Sequence, residues 1–153
     1  YTIDGLRVFA FGGAASPVKS RIGHEHDPIR EIPSLAEMER ACDSLGEAGW
    51  DVDLIITHTA PVRYLEAVHK NILPCQTALF LQGVCEEASF RRWFAGHCHT
   101  DADFSNGFSF IYERIVSLPP ACLASPGAPL QNHRAGLEKG ADWRVFDTPP
   151  RPV

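Results

Sequence analysis

The order in which strand-like and helix-like segments follow one another constrains this chain more than any other feature. Residues 7–11 (RVFAF), 53–57 (DLIIT) and 91–95 (RRWFA) are short runs enriched in β-branched and aromatic residues, which suit a pleated, largely buried surface. Between the first two runs, Ser34-x-x-Glu37 makes a capping box, in which each side chain satisfies a backbone N–H left unpaired by the first helical turn. Leu35, Met38, Ala41, Cys42 and Leu45 follow at helical spacing, and Gly49 supplies a stop. Between the second and third runs, one helix is expected over 61–70, with Pro61 at its first position, and another over 76–88. Ala78, Leu79, Leu81 and Cys85 are the expected core contacts of the latter, and Pro74 separates the two. This alternation reads as an α/β fold.

The flanks add detail. Asp4-Gly5 is a turn dipeptide between two strand-like pieces, so the chain opens as if inside a hairpin. It begins at Tyr1 without a Met or a signal-like stretch, and the expectation is a numbering that starts partway through a longer protein. The strand at 7–11 runs into Gly12-Gly13-Ala14-Ala15-Ser16, where backbone can approach a ligand or another element closely. Residues 18–33 are polar and aperiodic and read as a long loop. Asn106-Gly107 announces a hairpin leading into a strand at 108–112 that continues to Val116. Seven of the twelve prolines fall after Ser117. The expected organisation is therefore a domain over 1–118 and a Pro-rich tail over 119–153, docked by Trp143, Val145 and Phe146.

Composition narrows the function classes. With 44% hydrophobic and 22% charged residues the chain is globular. Fourteen basic against nineteen acidic residues give a charge of −5 without a basic block, which argues against nucleic-acid backbone binding. No apolar run approaches the ~20 residues of a membrane span. Cys42, Cys75, Cys85, Cys98 and Cys122 are odd in number and show no CxxC spacing, as expected of reduced thiols in a cytoplasmic protein.

Three of the seven histidines sit where chemistry is expected. His58 follows DLIIT, and His97 and His99 follow WFAG. The carboxyl ends of strands in an open α/β sheet are where ligands bind. In an extended segment alternate residues point the same way, so His97 and His99 converge while Cys98 points away, and Gly96 gives backbone clearance. Neutral imidazole suits zinc, iron or manganese. Lys19 and Arg21, as point charge and fork, and His24 and His26 in the polar loop are candidate substrate contacts. His69 and His133 are expected to be solvated.

Thr57-His58-Thr59-Ala60-Pro61, with Gly96-His97-Cys98-His99 some forty residues later, resembles the calcineurin-like metallophosphoesterase family. TIDG followed by VFAFGGAAS, the helix start at Pro33-Ser34, GWDVDLIITHTAP and FSFIYERI resemble its bacterial serine/threonine-phosphatase-like branch. The resemblance covers residues 1–118. It implies the C-terminal half of a four-layer αββα sandwich and a phosphate-ester substrate. It also implies two divalent metal ions (Mn, Fe or Zn) in the complete enzyme, whose activated hydroxide attacks phosphorus. On that resemblance His58 and His97 bind one metal and His99 the other. The family's DxH, GDxxD and GNH(D/E) motifs do not occur here, so this chain carries the histidine-rich half of the site and is expected to be inactive alone, binding a single metal weakly.

Two alternatives stand beside this reading. His97-x-His99-x-Asp101 resembles the opening of the metallo-β-lactamase pattern, but position 102 is Ala where that pattern has His. A cupin would need an all-β pattern, which the Ser34 helix opposes. The other class is a non-catalytic domain that keeps the fold and binds a partner, including a second copy in a homo-oligomer.

Overall fold

The computed structural model describes residues 1–15, 31–69, 74–118 and 131–132. A six-stranded mixed sheet has the order β1-β2-β3-β4-β6-β5. β1 (Thr2–Ile3) and β2 (Leu6–Phe11) form a hairpin. Its turn residues Asp4 and Gly5 both have positive φ, 49° and 80°, the backbone that matches the twist of paired strands. β2, β3 (Asp51–Thr57), β4 (Ser89–Ala95) and β6 (Phe108–Phe110) run parallel, while β5 (Ala102–Asp103) pairs antiparallel with β6. β7 (Val116–Ser117) pairs with β8 (Gln131–Asn132), a strand inside the Pro-rich stretch. Trp143, Val145 and Phe146 lie outside the described residues.

Helix α1 (Leu35–Glu47) begins with the expected capping box: Ser34 Oγ accepts from the Glu37 N–H, and Glu37 Oε2 accepts from the Ser34 N–H. It ends at Gly49, whose φ is 67°. The Gly49 N–H donates to the Gly46 carbonyl and the Trp50 N–H to the Leu45 carbonyl at 2.9 and 2.8 Å, so two carbonyls orphaned by the helix end are satisfied. α2 spans Val62–Val68 with Pro61 as its N-cap rather than its first helical residue, and α3 spans Gln76–Glu87.

The crossovers from β2 to β3 and from β3 to β4 advance in the same direction across the sheet. Crossovers of the usual right hand then put their helices on one face. Ala41 and Leu45 of α1, Tyr64 and Leu65 of α2, and Ala78, Leu81 and Val84 of α3 share one core with Phe9, Ile55, Trp93 and Phe108, four residues aligned across adjacent strands. Trp93 is fully buried, and its Nε1 donates to Thr57 Oγ1 at 2.9 Å. On the opposite face Val8, Leu54 and Arg92 are buried, while towards the rim Ala10 and Ile56 are exposed and Phe94 is half-buried.

Several local expectations are corrected. Leu35 and Leu79 are exposed, whereas Thr77 is buried in α3: Thr77, Leu81 and Val84 make the inward stripe, and Leu79 lies off it. β3 and β4 start two residues earlier than their apolar runs, where Asp51 lies opposite Ser89 and Val52 opposite Phe90, the Ser89 N–H donates to the Trp50 carbonyl at 2.8 Å, and Arg7 pairs with Asp51. The strand expected from 108 to Val116 stops at Phe110. Asp101 accepts the backbone N–H groups of Tyr112 and Glu113, and Arg114 donates to the Phe110 carbonyl. These side chains offer the backbone partners that compete with the ladder.

The turn before β6 depends on Gly107, which has φ 87° and would place a Cβ 2.5 Å from the Arg91 carbonyl oxygen. Gly107→Ala is expected to lower stability by at least about 1–2 kcal/mol, and Ser34→Ala by about 1 kcal/mol, both read from urea unfolding. An unchanged midpoint for Gly107→Ala would contradict this turn geometry.

Candidate functional site

Parallel pairing brings the carboxyl ends of β2, β3 and β4 to one rim. There the ladder continues one bond past each strand. The His58 N–H donates to the Phe11 carbonyl at 3.3 Å, and the Gly96 N–H to the His58 carbonyl at 3.0 Å. His58 and the 97–99 segment are therefore neighbours because their strands are neighbours. His97 Nδ1 lies 3.2 Å from His58 Nε2, with the ring centroids 5.1 Å apart. As a hydrogen bond, that contact needs one ring to donate and the other to accept.

The segment carrying His97 is not extended, and this corrects the alternation argument. His97 and His99 have φ values of 66° and 47°, a region that costs non-glycine residues energy. The Cys98 N–H donates back to the Gly96 carbonyl at 2.8 Å. A bond from residue i+2 to residue i around a central residue of positive φ is the rarer, strained form of γ-turn, and His97 is its centre. Cys98 does point away, into the core, where burial pushes its thiol up to about 11. Clearance is not what Gly96 provides, since a Cβ there would meet the His58 carbonyl oxygen at an ordinary 3.6 Å.

His99 leaves the pair. Its ring stacks on Tyr112 at 4.9 Å with a 21° interplanar angle. Tyr112 is fixed through its N–H to Asp101 at 2.8 Å. Next to it, burial raises the Asp103 carboxyl, but hydrogen bonds from Arg114 and Ser109 outweigh it and hold the group below its ordinary value. Among the described residues no three His, Cys, Asp or Glu side chains are arranged to hold a metal ion. Lys19, Arg21, His24 and His26 lie outside the described residues.

His69 is exposed, as expected of a solvated histidine, but sequence reasoning missed its contact with the turn. Its Nε2 lies 3.3 Å from the Cys98 carbonyl oxygen, across 29 positions of sequence, and no linear pattern signals that contact. A groove of about 790 Å³ follows the outer edge of β2 beneath α1 and reaches the rim at Phe11 and Gly12. At its end Gly13 (φ 89°) packs so closely that a Cβ would lie 2.6 Å from the Glu31 carbonyl oxygen, the close approach expected of the small-residue loop.

Compared with known proteins, the chain matches no family model, no curated protein and no solved structure. Cys42, Cys75, Cys85 and Cys98 are free thiols, and no helix among the described residues is long and apolar enough to cross a membrane.

Burial, and then the neighbouring charges of His58, His99 and His69, lower the His97 pKa from its ordinary 6.5. The unfolded chain therefore binds this proton first as pH falls. The contribution to stability is fully present above about pH 6.5, declines as pH drops through that value, and levels off below the depressed folded value. His97→Gln should flatten this part of the stability–pH curve in urea titrations between about pH 7 and pH 5. Retention of the wild-type slope would contradict the assignment.

Proposed function

We propose that this chain supplies the histidine-rich half of a metal-dependent phosphoesterase site that hydrolyses a phosphate ester. The observation that carries this reading is the 3.2 Å separation of His97 Nδ1 and His58 Nε2 at the ends of adjacent parallel strands. Nitrogens bound tetrahedrally at the usual zinc distances lie about 3.3 Å apart, so these two are spaced as ligands of one ion. The order of the motifs, a THTAP element and then a GHxH element, is the second support. The third is the rim end of the face away from the helices: Ala10 and Ile56 are exposed there, although Val8, Leu54 and Arg92 further along it are buried, and parallel sheets are ordinarily covered on both faces. A four-layer αββα sandwich would cover the other face with a second sheet.

His58 and His97 would hold one divalent ion (Mn, Fe or Zn), and His99, on leaving Tyr112, would serve a second. Bound metal supplies Lewis-acid polarisation of a phosphoryl oxygen and of water. The imidazoles contribute coordination without negative charge that would repel the phosphate. Burial and the neighbouring imidazoles keep His97 neutral near pH 7, the state a ligand needs. The carboxylates that neutralise two close cations would come from the DxH, GDxxD and GNH(D/E) motif types. Without them two dications at such a spacing repel strongly, so this chain by itself should hold one.

Titration of the chain with Mn²⁺ or Zn²⁺ is expected to reveal one weak site, weakened at least about tenfold by His58→Ala or His97→Ala. Two tight sites, or affinity indifferent to both substitutions, would contradict the proposal. Hydrolysis of p-nitrophenyl phosphate with Mn²⁺ should require a protein that also carries the carboxylate motifs, and should be lost in its His97→Ala form.

A second reading, a binding domain that keeps the fold without catalysis, is favoured by the stacking of His99 on Tyr112. It predicts no metal-dependent hydrolysis even with the carboxylate motifs present.

A further inference from the structure

The Gly96–Cys98 turn holds its central histidine in a conformation that the isolated peptide would leave. Left-handed backbone at a non-glycine residue is strained and persists only where its surroundings over-determine it. Three groups hold the turn from outside. The Gly96 N–H is bonded to His58, and the Cys98 side chain is buried in the core. The Cys98 carbonyl, at the exit of the turn, faces His69 Nε2 at 3.3 Å. His69 is exposed, but its backbone is anchored. It caps the C-terminus of α2, its N–H donates to the Leu65 carbonyl at 2.9 Å, and Tyr64 and Leu65 are buried.

We infer that His69 is a positioning residue that clamps the γ-turn from the end of α2 and so keeps the His97 ring directed at His58. The Nε2 tautomer carries the proton and donates it to the Cys98 carbonyl oxygen. Removing that donor frees the carbonyl and lets the peptide units on either side of Cys98 rotate, which releases His97 from φ 66°. His69 touches no reacting atom. Its consequence for metal affinity rests on the phosphoesterase reading, whereas its role in the turn does not. An outer group that orients a ligand typically changes metal affinity about 10–100-fold when removed.

The test compares the full chain with His69→Ala and His69→Gln, the glutamine amide offering an N–H donor at similar reach. Amide hydrogen exchange, measured without metal, is expected to speed up roughly two- to tenfold at Cys98, whose N–H is bonded to the Gly96 carbonyl, in His69→Ala. Exchange in β3 and β4 should stay unchanged, and His69→Gln should restore the slow rates. Mn²⁺ affinity should fall about tenfold or more in His69→Ala and recover in His69→Gln. Unchanged exchange at the turn, acceleration spread evenly over the sheet, or failure of glutamine to restore protection would each overturn the inference. Absence of Mn²⁺ binding in the wild type, with the exchange pattern as expected, would overturn the phosphoesterase reading and leave the clamp established.

Discussion

The parallel register of β3 on β4 is the constraint from which the rest of the site follows. Ile55 lies opposite Trp93 and Thr57 opposite Ala95, so both strands end at one level. The residues just past each end then face one another across the spacing of neighbouring strands. Trp93 fixes this register from inside: it is fully buried and donates to Thr57 on the adjacent strand. A one-residue slip would send Trp93 to the face where Ile56 is exposed and separate His58 from Gly96, because strand side chains alternate.

At the rim the backbone departs from regular geometry, and the balance of energies explains why it can. Two left-handed histidines cost about 1–3 kcal/mol each. Against this stand the hydrogen bonds from Gly96 to His58, from Cys98 to Gly96 and from His69 to Cys98, each worth about 0.5–1.5 kcal/mol net, together with burial of the Cys98 side chain. The terms are of similar size. The turn is held by its packing and not by its own preference, which places His97 half-buried against the His58 imidazole and below its ordinary pKa.

Much of the fold was legible in the sequence because its signals are local. The capping box at Ser34, the stop at Gly49, the Asp4-Gly5 and Asn106-Gly107 turns, and the three apolar runs that became β2, β3 and β4 each act through a few neighbouring residues. The misreadings arise where a distant partner decided the outcome. Asp101 draws the Tyr112 and Glu113 amides out of the strand, and pairing across their polar starts lengthens β3 and β4, with Asp51 opposite Ser89 and Arg7 paired to Asp51. Leu79 is exposed because α3 docks on the stripe of Thr77, Leu81 and Val84.

The candidate site divides in the same way. Sequence alone placed His58, His97 and His99 at strand ends, since strand runs and their terminators are written in consecutive residues, and it pointed Cys98 away from the histidines. Tertiary structure decided that His97 meets His58, that His99 turns to Tyr112, and that His69 reaches Cys98. Each of those contacts joins segments separated in the chain, and its distance depends on register, on turn conformation and on where α2 ends. None of these is encoded in the spacing of residues along the sequence.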